Sequence, residues 1–249
     1  MKIIYNKNKL RELIQNEKNL GFVPTMGALH LGHISLIKKS IYQCDKTIVS
    51  IFINKPQFNR NKDYKKYPRN LKRDIKVLKK LKIDYLYLPS QKEIYPKGYS
   101  KKIIISLFSK KLCGKYRPGH FESVVDVIDR FLKIIQPKKM FLGEKDFQQL
   151  KIVQDFVKKN NFKTIVVECK TIREKNGIAY SSRNLLLSEN EKEIASKIYK
   201  VLKNFKNKVV NKKIKIKIIK NKILSLGVKK IDYLKILDVN KVIKPYKKK

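Results

Sequence analysis

The stretch Gly21-Phe22-Val23-Pro24-Thr25-Met26-Gly27-Ala28-Leu29-His30-Leu31-Gly32-His33 runs from a short apolar strand, through a glycine-marked loop, into a helix. Gly21–Thr25 reads as the strand, Met26–Gly32 as the loop, and the helix continues from about His33 to Cys44. A strand that leads through a loop into a helix is where a doubly wound sheet places a phosphate site. Gly27 and Gly32 let backbone and ligand come close. The helix start is expected to offer unpaired N–H groups and a positive dipole end. His30 and His33, three residues apart, can face one ligand as hydrogen-bond donors. The chain has only 3 histidines, and two of them share this H-x-G-H. That concentration favours a ligand over helix capping.

Outward from this loop, strands and helices alternate. Thr47–Ile53 is a β-branched strand bounded by the turn Asn54-Lys55-Pro56. Pro68 suits a helix start, with Leu71, Ile75, Leu78 and Leu81 at helical spacing. Asp84–Leu88 is a strand closed by Pro89, and Val124–Ile135 is a helix stopping before Pro137. Met140–Leu142, Asp146–Lys159 and Thr164–Val167 follow as strand, helix and strand. This order predicts an α/β fold: a Rossmann-like parallel sheet flanked by helices on both faces. Past Ile172 the texture changes, with a net charge of +17 over residues 173–249 against +24 over the preceding 172. Two domains are expected, 1–172 for the nucleotide-binding sheet and 173–249 as a small α+β lid. Lys213–Lys220 alternates Lys with Ile, yet Ile214, Ile218, Ile223 and Leu226 share a helix face and Gly227 suits the position past its end. A helix is expected there.

A chain of 249 residues, 42% hydrophobic and 10% aromatic, can bury a sizeable core and is not wholly disordered. Its apolar runs are too short for a bilayer span of ~20 residues, and its N-terminal apolar stretch is too short for a signal peptide. Cys44, Cys113 and Cys169 lie 69 and 56 residues apart, which suits neither a disulfide framework nor a zinc site. The expectation is a soluble cytoplasmic protein with no protein-held metal. The net charge of +41 comes from 61 basic against 20 acidic residues, but only 8 of the basic residues are arginine. Recognition of nucleic acid favours arginine, whereas here lysine is spread everywhere. Non-specific attraction to polyanions is expected, falling steeply with salt, and no specific nucleic-acid partner.

H-x-G-H resembles the HIGH signature of nucleotidyltransferases and class I aminoacyl-tRNA synthetases, which form adenylates. Such a reaction needs placed cations and N–H donors more than a nucleophilic side chain. Phe141-Leu142-Gly143-Glu144-Lys145-Asp146-Phe147-Gln148-Gln149 places a lysine at a helix start after a strand. Ile172-Arg173, then Gly177-Ile178-Ala179-Tyr180-Ser181-Ser182-Arg183-Asn184, set two hydroxyls beside a guanidinium. Six motifs in order, VPTMGALHLGH, SIFINKPQF, YPR, LCGKYRPGHF, FLGEKDFQQL and AYSSRN, resemble the pantothenate synthetase (pantoate–β-alanine ligase) family. The match runs from Gly21 to about Leu187 and more weakly to about Val242.

The resemblance implies ATP-dependent condensation of pantoate with β-alanine through pantoyl adenylate, releasing AMP and pyrophosphate, with Mg²⁺ carried by the nucleotide. It implies a homodimer. Met26, Gly27, Ala28, Leu29, His30, Leu31, Gly32 and His33 would bind ATP, with Gly143, Glu144, Lys145 and Asp146. Ile172, Tyr180, Ser181, Ser182 and Arg183 would complete that site. His33 would be the proton donor, with His30 and Lys145 beside it in catalysis. Gln57 and Gln149 would bind pantoate, and Gln57 also β-alanine; amides that both donate and accept suit a polyhydroxy acid.

His120 reads equally as a structural residue at a turn or as a contact near the phosphates. Tyr67 and Arg69 are expected to fix the loop after the second strand. The chain departs from the family pattern at Pro56, one place later than usual, and at Ser123, Asp126, Asn176 and Tyr180. It ends in Pro245-Tyr246-Lys247-Lys248-Lys249, shorter than the family's lid. The rival readings are another HIGH-type nucleotidyltransferase, an RNA-binding protein on an enzyme-like fold, and an inactive enzyme.

Overall fold

A computed structural model describes residues 1–99, 103–211 and 213–238. Two compact units make up the chain, Met1–Thr171 and Ile172–Lys249. The first holds six strands: β1 Lys2–Ile4, β2 Leu20–Thr25, β3 Lys46–Ile51, β4 Tyr85–Tyr87, β5 Lys139–Gly143 and β6 Ile165–Cys169. Its helices are α1 Lys7–Ile14, α2 Leu31–Gln43, α3 Asn61–Lys66, α4 Leu71–Lys80, α5 Gln91–Ile94, α6 Cys113–Tyr116, α7 His120–Ile135 and α8 Phe147–Lys159. The strands form one sheet in the order β1-β4-β3-β2-β5-β6, parallel at every pairing.

Helices cover both faces, so the central strands read as continuous apolar runs. On one face Val23, Val49, Leu86 and Phe141 pack with Leu36 and Ile37 of α2 and Leu78 of α4. On the other, Phe131 of α7 meets Phe22 at 5.5 Å, Phe52 at 6.1 Å and Tyr87 at 6.2 Å between ring centroids. Gly21 sets the spacing of α2 from β2: a Cβ there would lie 2.2 Å from the Ser40 hydroxyl, which is bonded to Thr47 Oγ1 at 2.8 Å.

Two sequence-based helix starts shift. Pro68 does not open α4; the helix begins at Leu71, because Asn70 supplies a side-chain acceptor to the Arg73 N–H. Helix α7 starts at His120 instead of Val124, directly after Gly119 turns the chain at φ +74°.

The second unit contains α9 Glu189–Val210, opened by a Ser188–Glu191 capping box, and α10 Ile216–Leu224. Among its described residues the only β pairing is an isolated antiparallel bridge, Arg173 with Ala179. The expected helix exists, but its buried face is rotated: Ile219 and Ile223 are buried while Ile218 is 53% exposed. Lysines at Lys217, Lys220 and Lys222 leave Ile216, Ile219 and Ile223 as the stripe that packs on Val201 and Val209 of α9. Gly227 takes φ +93° past the helix end. The expectation of a shorter lid rests on residues 239–249, outside the described residues.

Candidate active site

Strands β3, β2 and β5 lie side by side and in parallel, so residues 26–33, 54–57 and 144–149 leave the same edge of the sheet. From β2 the chain runs to β3 and then β4 on one side, and only later to β5 and β6 on the other. The β2–β5 gap is therefore the topological switch point, where open α/β sheets bind ligands. His30 and His33 come from one side of it and Lys145 from the other.

The loop between β2 and α2 is held from within the protein. Gly27 and Ala28 both take left-handed backbone, at φ +78° and +49°; for a residue with a Cβ this costs roughly 1–2 kcal/mol. Thr25 Oγ1 donates to the Ser50 carbonyl at 2.8 Å and accepts from the Gly27 N–H at 3.2 Å. The Asp74 carboxylate accepts from the Ala28 and Leu29 N–H groups, each at 2.8 Å. His30 caps α2, its Nδ1 accepting from the His33 N–H at a long 3.4 Å. Of the donors expected at the helix start, the His33 N–H already has a partner in His30 Nδ1, and the loop N–H groups of Gly27, Ala28 and Leu29 are held within the protein. An accepting Nδ1 assigns the His30 proton to Nε2.

The two imidazoles stack, with centroids 3.9 Å apart and planes 24° from parallel. His33 Nδ1 is buried with no hydrogen-bond partner among the described residues. Burial first, then the Lys145 ammonium, lowers the His30 pKa to about 4, against a smaller upward pull from Asp146. His33 falls to about 3 through burial, then His30, then Lys145. Both rings are neutral at pH 7 in this state. Lys145 Nζ lies 3.3 Å from Asp146 Oδ2, both side chains exposed.

These values carry a stability prediction. Folded-state values of about 4 and about 3 lie below the ordinary 6.5, so between pH 3 and 6.5 the unfolded chain binds more protons. The pair's contribution is complete above pH 6.5 and is lost as pH falls toward 3. Melting temperature followed from pH 7 to 4 should drop more steeply in the wild type than in a chain carrying His30→Gln and His33→Gln. Parallel slopes would contradict the assignment.

Gln57 is bracketed on several sides. Its Nε2 donates to Met26 Sδ at 3.2 Å, and its Oε1 accepts from Asn54 Nδ2 at 3.2 Å. Its carbonyl lies 2.8 Å from the buried His120 Nδ1, so His120 meets the chain at Gln57. Asn54, 1% exposed, also donates to the Ser123 carbonyl at 3.0 Å and accepts from the Tyr95 hydroxyl at 2.7 Å. Neither Asn54 nor Tyr95 was expected at the site; the one available signal was the Asn that opens the Asn54–Gln57 turn. Gln149 is half-buried on the first turn of α8 and makes no side-chain hydrogen bond among the described residues. Its neighbour Gln148 is buried, accepting from the Cys113 N–H and donating to the Phe108 and Lys111 carbonyls. Arg69 donates to the Lys65, Tyr67 and Tyr64 carbonyls, which ties the loop before α4.

In the second unit, taken alone, Ser181 caps a 3-10 turn over Ser182–Leu186, Ser182 is buried and Arg183 is exposed. The Tyr180 N–H donates to the Ile172 carbonyl. Four of the departures from the family pattern have a local account. Pro56 sits within a 3-10 turn over Lys55–Gln57, where a missing N–H costs nothing. Ser123 donates to the Gly119 carbonyl, and Asp126 pairs with Arg130 at 2.9 Å. Asn176 Oδ1 accepts from the Ile178 N–H around Gly177, itself at φ +95°.

Among the described residues, no helix is long and apolar enough to cross a membrane, and no group of three or more His, Cys, Asp or Glu could hold a metal ion.

The sequence model described as pantoate-beta-alanine ligase matches residues 2–249. The chain is 40% identical over 240 residues to the pantothenate synthetase of Thermosipho africanus, covering 95% of this chain and 86% of that one. To the pantothenate synthetase of Thermodesulfovibrio yellowstonii it is 46% identical over 193 residues, 78% and 69% of the two chains. The fold is similar to the pantoate-beta-alanine ligase of Francisella tularensis, solved with beta-gamma ATP and beta-alanine. That likeness has a TM-score of 0.88 at 40% identity over 96% of this chain and 90% of that one.

Proposed function

The chain belongs to the pantoate–β-alanine ligase family, amide-forming ligases, and from that premise we propose that it condenses pantoate with β-alanine at the expense of ATP through a pantoyl adenylate. The pantoate carboxylate attacks the α-phosphorus and pyrophosphate leaves. The β-alanine amine then attacks the acyl carbon, the C–O bond to AMP breaks, and the amine proton is lost to solvent. Catalysis in the first half is the placing of donors where phosphate charge develops. His30 and His33 serve as neutral N–H donors to the phosphates, and Lys145 as a point charge. Met26–His33 and Gly143–Asp146 carry the nucleotide. The single observation that supports this reading is the stacked His30–His33 pair at the switch point, near enough to Lys145 for its ammonium to lower both imidazole pKa values.

Mg²⁺ fits as a passenger of the nucleotide. A magnesium ion keeps several of its waters and is held chiefly through the substrate phosphates. When bound it neutralises phosphate charge. A cytoplasmic homodimer belongs to the same reading.

Gln57 and Gln149 hold pantoate, and Gln57 also meets β-alanine. Asn54 and Tyr95 aim the Gln57 amide, so Tyr95→Phe should raise KM for pantoate about five- to tenfold, as expected for one lost hydrogen bond of about 1 kcal/mol, and leave KM for ATP within twofold. An unchanged KM for pantoate would remove Tyr95 from this role. The overall reading is tested by release of AMP and pyrophosphate. Steady-state release that requires both pantoate and β-alanine and yields the amide is expected, with a single turnover of pyrophosphate from ATP and pantoate alone. Turnover without either substrate, or none at all, would refute it.

A further inference from the structure

We infer that Asp74 is a positioning residue of the nucleotide loop, its carboxylate fixing the stance from which His30 and His33 face the phosphates. Both carboxylate oxygens are engaged: Oδ2 accepts from Ala28 and Oδ1 from Leu29, each at 2.8 Å, across 46 and 45 residues of sequence. Asp74 is 1% exposed, so these bonds form where water does not compete. Its own place is rigid. It is the fourth residue of α4, its N–H donates to the Asn70 carbonyl at 3.0 Å, and Leu78 of the same helix is buried in the sheet's core.

The loop residues it holds are those the backbone does not favour. Gly27 and Ala28 are consecutive left-handed residues, a conformation that persists only where its surroundings over-determine it. There is no slack: a Cβ at Gly27 would lie 3.0 Å from both Asp74 Oδ2 and Ile51 Cγ2. His30 follows Leu29 directly and α2 begins at Leu31. A displacement at Ala28–Leu29 therefore passes to the His30 ring, and through the 3.9 Å stack to His33. A carboxylate can accept both N–H groups, whereas an amide of the same shape turns its NH₂ against one of them. Asp74 has no path to the ligand of its own, since both oxygens are turned to the loop.

The inference rests on the nucleotide reading of this loop, and one titration separates the two. ATP binding is measured calorimetrically on the full chain for the wild type, Asp74→Asn and Asp74→Glu, with melting temperature and circular dichroism recorded for each. Wild type that does not bind ATP refutes the nucleotide reading itself. Where wild type binds, a folded Asp74→Asn with ATP affinity at least tenfold weaker supports the role. A folded Asp74→Asn that binds as wild type overturns it. Should Asp74→Asn fail to fold, Asp74→Glu decides, because its extra methylene keeps both acceptors but must move the loop. Weakened binding by a folded Asp74→Glu then supports the role, and wild-type binding overturns it. Loss of folding in both overturns it too, since Asp74 would then be a determinant of the fold and not of the site. A further readout separates positioning from general damage: in steady state, KM for β-alanine should stay within threefold of wild type in the variant that supports the role.

Discussion

Replacing His33 by alanine is expected to slow adenylate formation by two to three orders of magnitude, the scale on which loss of one preorganised donor acts in a dry site, about 2.7–4 kcal/mol. The ring is held for this work by its stack on His30, and its depressed pKa keeps it a neutral donor at pH 7. A neutral imidazole N–H needs no proton uptake before it can bond a phosphate oxygen, and it does not lose the bond by titration near neutrality. The substitution leaves the loop's own cap intact, because His30 Nδ1 accepts from the backbone N–H of residue 33 and not from its ring. The loss should therefore fall on the chemical step, read as the single-turnover rate of pyrophosphate release from ATP and pantoate, with a smaller change in KM for ATP. His33→Asn, which restores an N–H donor without the ring, should recover part of the rate. Single-turnover release near the wild-type rate in His33→Ala would remove this residue from the transition state.

What was legible in the sequence is what depends on neighbours in the chain. The apolar runs at Phe22–Val23, Ile48–Val49 and Phe141–Leu142 gave the central strands, and their alternation with helices gave a parallel sheet. Strand β1, three residues long, and helix α1, eight, fall below the length at which periodicity separates from noise. The start of α4 turned on whether a cap side chain outweighs a proline, which local pattern alone does not decide. In α10 the repeated Ile-Lys text supports two phases, and only packing against α9 selects Ile219 over Ile218. At the candidate site, H-x-G-H and the lysine of Gly143–Asp146 were legible because both sit at strand ends. Asp74, Asn54 and Tyr95 were not, since each acts through a contact with a segment distant in sequence or through a neighbour's backbone. An ordinary Asp in a helix and an ordinary Tyr in a loop carry no local mark of such work.

The arginines show how a lysine-rich background can still be informative. Arg69 collects three backbone carbonyls. Arg130 joins Asp126 to the Ile94 and Gly98 carbonyls while stacking 4.5 Å over Tyr95. Arg173 donates to the Gly177 carbonyl and lies 4.0 Å over the Tyr199 ring. In each case the planar, forked guanidinium reaches several partners at fixed angles, which a lysine's single ammonium cannot do. Arg69 and Arg173 are thus bound to the protein's own backbone, where the guanidinium fixes loop geometry.

Lys145 is where charge, and not shape, is the working property. Lys145→Ala should lower kcat/KM for ATP by about a hundredfold, the loss of one placed cation at a phosphate. It should also leave a signature that a merely structural change would not. The ammonium is the second cause of the lowered His30 pKa and the third for His33. Without it both values rise toward the ordinary 6.5, so each imidazole gains its proton at higher pH. The acid limb of the pH–activity profile should move up accordingly, and the window over which folded stability falls should shorten from its acid end, its onset staying near pH 6.5. The side chain is exposed and its ion pair with Asp146 is loose at 3.3 Å, so folding at pH 7 should be unaffected. Lys145→Arg keeps the charge and should hold the acid limb in place, while its broader head restores only part of kcat/KM. An alanine variant with wild-type kinetics at limiting ATP and an unmoved acid limb would show that this cation serves neither the phosphates nor the two histidines.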